Sequence, residues 1–117
     1  MNIPNKITIG MKKYTIKIKY FVDLFHPTIS GNINYMDGVM KIKKGNDERA
    51  MEDTFFHEIA HGLMKEMEFN YPQMVKFRND EKFIQELGLH LRNTFMELLK
   101  KQNDTCNTSM SKSASSD

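Results

Sequence analysis

A chain of 117 residues, 39% hydrophobic and 27% charged, is long enough for one compact domain with its own core and too short for two. Its 17 basic and 15 acidic side chains leave a formal charge of only +2; that balance gives weak grounds for a polyanionic partner, and nucleic acid is not expected. Cys106 is the single cysteine, which excludes an intramolecular disulfide and suits a reducing compartment; with neither a signal-peptide core nor a stretch of transmembrane length, a cytoplasmic protein without a membrane partner is expected.

From Lys6 to Tyr20 the chain alternates as a half-buried strand does. Tyr14, Ile16, Ile18 and Tyr20 fall on one face, with Thr15, Lys17 and Lys19 on the other. Gly10 to Lys13 can turn it back on Ile7-Thr8-Ile9 to make a first hairpin. Phe21 to Pro27 has no readable pattern. A second hairpin is predicted over Asn32 to Lys43, where Asp37-Gly38 is a favoured turn pair between Ile33-Asn34-Tyr35 and Val39-Met40-Lys41-Ile42. Asn46 or Asp47 can cap a helix that runs to Glu68, with Phe56, Ile59, Ala60, Leu63, Met64 and Met67 at helical spacing. Asn70-Tyr71-Pro72 breaks that pattern. A second long helix is predicted from about Asp80 to Lys101 on the spacing of Ile84, Leu87, Gly88, Leu91, Phe95 and Leu98. The predicted fold is α+β, a small antiparallel sheet of hairpins followed by two long helices. Residues 1–101 form the domain, and the Ser-, Asn- and Thr-rich residues 102–117 are expected as a disordered tail.

The first long helix carries His57-Glu58-Ile59-Ala60-His61. Residues four apart on a helix lie one above the other, so both imidazoles can reach one metal ion. Zn2+, one per chain, is the expected cofactor, because imidazole nitrogen suits it and a catalytic site keeps one position for water. Glu58 stands where a carboxylate can take a proton from that water. Two histidines do not hold a catalytic zinc alone, so a third ligand is expected from the second helix. There Glu86 and Glu97 point away from the apolar stripe, while Asp80 and Glu81 both lie close to it; helical phase does not separate these two. His90 falls on the polar face and reads as a surface residue. Tyr71 and His26 are candidate donors to a developing oxyanion that the sequence does not assign.

Phe55-Phe56-His57-Glu58-Ile59-Ala60-His61-Gly62-Leu63 resembles the active-site helix of small phage and bacterial zinc metallopeptidases, the ImmA/IrrE-like and related groups, which are similar to compact gluzincins. In these a second helix supplies a glutamate in a Glu-x-x-apolar-x-x-apolar-small pattern, which Glu81-Lys82-Phe83-Ile84-Gln85-Glu86-Leu87-Gly88 matches. The resemblance covers about residues 30–100 and implies metal ligands His57, His61 and Glu81, Glu58 as the catalytic general base, and a protein or peptide substrate in the host cytoplasm if the chain is phage-encoded. It also implies that the hairpin ahead of the motif helix lines the cleft. The competing account is a non-enzymatic interaction module with a structural metal site or none, using the basic strand face of Lys12, Lys13, Thr15, Lys17 and Lys19. A structural zinc site needs four protein ligands, and the chain offers no fourth at ligand spacing.

Overall fold

In the structure, a computed structural model that describes residues 1–112, Gly10-Met11 turns strand β1 (Lys6–Ile9) back onto β2 (Lys12–Lys19). A second hairpin joins β3 (Gly31–Asn34) to β4 (Val39–Lys43). Its turn spans Tyr35 to Gly38 and is held by Asn34, whose Nδ2 donates to Asp37 Oδ2 at 3.0 Å while its Oδ1 accepts from Asp37 N. Both predicted hairpins form, but the sheet they build is mixed. The strand order is β1-β2-β4-β3, and β2 pairs with β4 in parallel. The expectation of a purely antiparallel sheet is corrected by the segment between the hairpins. Residues 20–30 fold into two successive turns, His26 N donating to Asp23 O and Ile29 N to His26 O, each at 3.1 Å. They carry the chain past one strand position, so β3 lands at the outer edge and the hairpin returns β4 into the gap.

Alternation decides which face of the sheet is buried. Ile9, Tyr14, Ile16, Met40 and Ile42 point inward against Phe55 and Phe56 of α1 (Glu48–Glu68). Fully burying a side chain of this size is worth about 1.5–3 kcal/mol, so this cluster is what fixes α1 on the sheet. The predicted inward row on β2 holds only for its first half. Ile18 is 42% exposed and Tyr20 70%, because β2 runs on past the cover that α1 provides.

Pro72 starts a short 3-10 turn to Met74, followed by α2 (Val75–Arg78) and α3 (Glu81–Lys112). A second cluster of Ala60, Met64 and Ile84, flanked by Met74, Phe77 and Leu87, joins α1 to α3. Helix α3 continues past Lys101, where the sequence pattern ended it. The tail expected over residues 102–117 thus begins within the span of α3, and residues 113–117 lie outside the described residues. Gln102 to Lys112 contains no proline or glycine, and extending an existing helix fixes one residue per hydrogen bond without a new nucleus. Among the described residues no helix is long and apolar enough to cross a membrane.

Candidate metal centre

Asp47 sets the start of α1, its side chain accepting from Arg49 N at 3.0 Å and Ala50 N at 3.4 Å. Counted from that cap, the apolar positions of α1 turn toward the sheet and His57 and His61 turn toward α3. Their rings stack edge to face with centroids 5.0 Å apart. Both are half-buried.

At the start of α3 the two neighbouring acids do different things. Asp80 is the cap: its Oδ1 accepts from Phe83 N at 3.1 Å and its carbonyl from Ile84 N at 3.0 Å. Glu81, one residue on, reaches across to α1. Its Oε2 lies 3.1 Å from His57 Nε2 and its Oε1 3.1 Å from His61 Nε2. The three side chains therefore offer two imidazole nitrogens and a carboxylate oxygen, all within 4.8 Å of one another. Ligand atoms placed tetrahedrally at zinc distances of ~2.0–2.1 Å stand about 3.3 Å apart. The donor types suit that ion, and the two separations from Glu81, 3.1 Å each, lie close to that value.

Two glycines make room for this arrangement. A Cβ on Gly88 would sit 3.0 Å from His57 Cα and 3.1 Å from His57 N, so the missing side chain lets α3 lie close against α1 beside the first histidine. A Cβ on Gly31 would sit 2.5 Å from Thr54 Cγ2 and 3.2 Å from Glu58 Cγ, which lets the outer strand β3 descend onto α1 over Glu58. Between β3 and α3 an open cleft of about 430 Å³ results. Ile29, Ser30 and Gly31 form one wall, Glu81 and Gln85 the other, and Thr54, His57, Glu58 and His61 the floor.

Glu58 is only 5% exposed, and its Oε2 has no hydrogen-bond partner among the described residues. Burial, and after it the negative charge of Glu81, pushes its carboxyl up to about 7. A buried carboxylate without donors is costly unless the group stays neutral or a ligand compensates it. Burial also lowers the pKa of His61, which the charge of Glu81 opposes and that of His57 reinforces. Burial and the His57 charge favour the unprotonated ring that a metal needs, and Glu81 works against them.

The structure brings His57, Glu58, His61 and Glu81 into one cleft and leaves the other candidates outside it. His90, Glu86 and Glu97 are exposed on α3, with Glu97 3.7 Å from Lys101. His26 is exposed in the turns before β3, and Tyr71, 51% exposed, borders a separate groove at the far end of α1. The hairpin ahead of the motif helix is expected to line the cleft, but the wall is formed by Ile29, Ser30 and Gly31, which fall just before its predicted start at Asn32. Sequence reasoning missed a layer behind His61: Tyr35 Oη lies 3.5 Å from the His61 carbonyl, and the Arg78 guanidinium, paired with Glu68, stands 5.7 Å over the Tyr35 ring. No local spacing announces that layer, because its residues come from a turn and two helices. No protein family, curated protein or solved structure matches this chain.

Proposed function

We propose that this chain is a zinc-dependent peptidase in which His57, His61 and Glu81 hold one ion. The observation that carries the reading is the meeting of these three donors from two helices beside a buried, unpartnered Glu58 in an open cleft. When bound, zinc supplies a Lewis acid that makes water acidic near neutral pH and polarises a carbonyl. Glu58 is the general base: its carboxylate takes the proton of the attacking water and returns it to the leaving amine. In the metal-free protein burial holds its carboxyl at about 7; the charge of a bound zinc would pull that value down and favour the ionised form that a base needs.

Strand β3 supports a polypeptide substrate. It is the outer strand of the sheet, and Ser30 O accepts from Lys43 N at 2.8 Å. In an antiparallel pair the bonded positions alternate, so Gly31 and Ile33 direct their backbone N–H and C=O groups outward. An extended segment added there would lie along the cleft wall over Glu58. The resemblance of the motif helix to small phage and bacterial zinc metallopeptidases agrees with this reading, and it suggests a repressor or another phage protein as substrate.

Glu58→Gln tests the chemistry. The amide keeps the shape and accepts no proton, so zinc content and melting temperature should stay at wild-type values. Hydrolysis of an unfolded protein substrate should fall by about 10²–10⁴-fold. Equal activity in the two proteins would remove Glu58 from the mechanism, and a zinc-loaded wild type that cleaves nothing would overturn the peptidase reading.

A further inference from the structure

The face of the sheet turned away from α1 belongs to no part of the proposed catalytic apparatus. Its outward positions are Lys6 and Thr8 on β1, Lys13, Thr15, Lys17 and Lys19 on β2, Val39, Lys41 and Lys43 on β4, and Asn32 and Asn34 on β3. Six lysines thus share one surface without an acidic residue. None of them is in an ion pair among the described residues. The two acids of the first 46 residues, Asp23 and Asp37, are engaged in turns by Phe25 N and Asn34 Nδ2. Residues 1–46 carry eight lysines against two aspartates, a balance of +6, and residues 47–117 carry nine basic against thirteen acidic side chains, a balance of −4. The net charge of +2 conceals this division.

Folding alone does not account for the arrangement. The parallel register sets Lys17 beside Lys41 and Lys19 beside Lys43, and like charges directly opposite destabilise a sheet. Lysines often guard exposed strand edges against aggregation, and that reading covers Lys6 on β1 and Lys17 and Lys19, where β2 runs on beyond its pairing with β1. It does not cover Lys41 and Lys43, which lie on β4 between β2 and β3. Lys43 Nζ donates to the Pro27 carbonyl at 2.7 Å; a polyanion would relieve the repulsion among the remaining five.

We propose that this outer sheet face is a docking surface for the phosphate backbone of duplex DNA, without sequence preference. Along β2, Lys17 and Lys19 stand ~7 Å apart, and from β1 to β4 the array is ~10 Å across. That breadth bridges the two phosphate rows that flank a groove, which is about 6–12 Å wide in B-DNA. Thr8, Thr15, Asn32 and Asn34 add neutral hydrogen-bonding groups for phosphate oxygens. No aromatic side chain faces outward within these strands, so the face has no platform on which a single strand could stack its bases. No large, fully exposed apolar residue projects from the strands themselves; Leu24 and Phe25, exposed in the turns that adjoin Lys43, make vesicle capture the necessary control. The first 46 residues contain no arginine, the usual bidentate reader of guanine, so the contacts are to the backbone. The surface is separate from the cleft, so its test is independent of the metal.

The test is fluorescence anisotropy of a labelled mixed-sequence duplex with the full chain, read across a salt series that begins near about 50 mM, where loss of one phosphate contact costs roughly tenfold in affinity. Lys17→Glu with Lys41→Glu should weaken binding by more than about tenfold, and Lys17→Gln with Lys41→Gln should lower the slope of log K against log salt by about two. Lys100→Glu with Lys101→Glu, the same charge change on α3, should shift affinity less than about twofold if the sheet face is the site. Zinc content should stay unchanged in all three variants. The inference is overturned if the wild type does not bind the duplex in this range, or if the α3 pair weakens binding as much as the sheet pair. Equal or tighter binding of a single-stranded oligonucleotide would also overturn it, as would capture by phosphatidylserine vesicles without capture by duplex.

Discussion

Asp80 and Glu81 are adjacent acids at the start of one helix, and their geometry gives them different contacts. The Asp80 carboxylate is occupied by the backbone of the first turn of α3, whereas the Glu81 carboxylate lies 3.1 Å from each histidine Nε2. Asp80→Ala should therefore lower the unfolding free energy by about 1 kcal/mol, the usual worth of an N-cap, and leave zinc affinity near wild type. Glu81→Ala should do the reverse, losing one of three protein ligands at little cost in stability. Urea unfolding and zinc titration against a chromogenic chelator measure the two quantities on the same preparations. Zinc lost with Asp80 and kept without Glu81 would reject the proposed ligand set. The two histidines were legible because they share one helix and a fixed spacing. Asp80 and Glu81 were not separable by phase, since they differ by only ~100° on the helical wheel, and the deciding cap hydrogen bonds depend on where α3 begins.

At the scale of elements, alternation and helical periodicity marked each hairpin and both long helices. The sheet order escaped them, because it is fixed by the two turns within residues 20–30, where backbone hydrogen bonds replace any hydrophobic period. The contact between α1 and α3 was half legible. Gly88 was visible as the small residue of the Glu81 pattern, but its reason, a backbone approach to His57, needed the packed helices. Gly88→Val should force the helices apart and cost about 1–3 kcal/mol, as overpacking does. It should also weaken zinc binding, since Glu81 rides on the same helix seven residues earlier. Gly88→Ala is a milder case in which a helix-propensity gain of up to ~1 kcal/mol offsets part of the strain. Glu86→Ala, on the exposed side of α3, should change neither quantity. Wild-type zinc affinity in a destabilised Gly88→Val protein would show that the site does not depend on this approach.

Over the whole molecule, net charge was the least informative number in the sequence, because it averages a basic sheet and acidic helices that the register keeps apart. One acidic position joins the two halves. Glu52 of α1, 4% exposed, accepts from the Met1 ammonium at 2.9 Å and from Arg92 Nη2 of α3 at 3.3 Å, so it ties the N-terminal segment, the first helix and the third. The hydrogen bond from the ammonium holds the Glu52 carboxyl below its ordinary value; burial opposes this and Arg92 adds to it. The same bond, with that from Glu48, raises the Met1 ammonium above 8.0. A depressed carboxyl contributes stability above the unfolded glutamate value of about 4.3 and loses it as pH falls through the lower folded value. A raised amine contributes stability below its unfolded value and loses it as pH rises through the higher folded one. The network should therefore act fully between about pH 5 and 7.5 and fade on both sides. Glu52→Gln should lower stability most within that window, and the gap to wild type should close as pH falls through the depressed carboxyl value and narrow, to what the Arg92 pair contributes, as pH rises through the raised amine value. Urea unfolding of both proteins across this range reads the difference directly. A gap that stays constant with pH would mean that Glu52 stabilises by packing and neutral hydrogen bonding, with its charge contributing nothing.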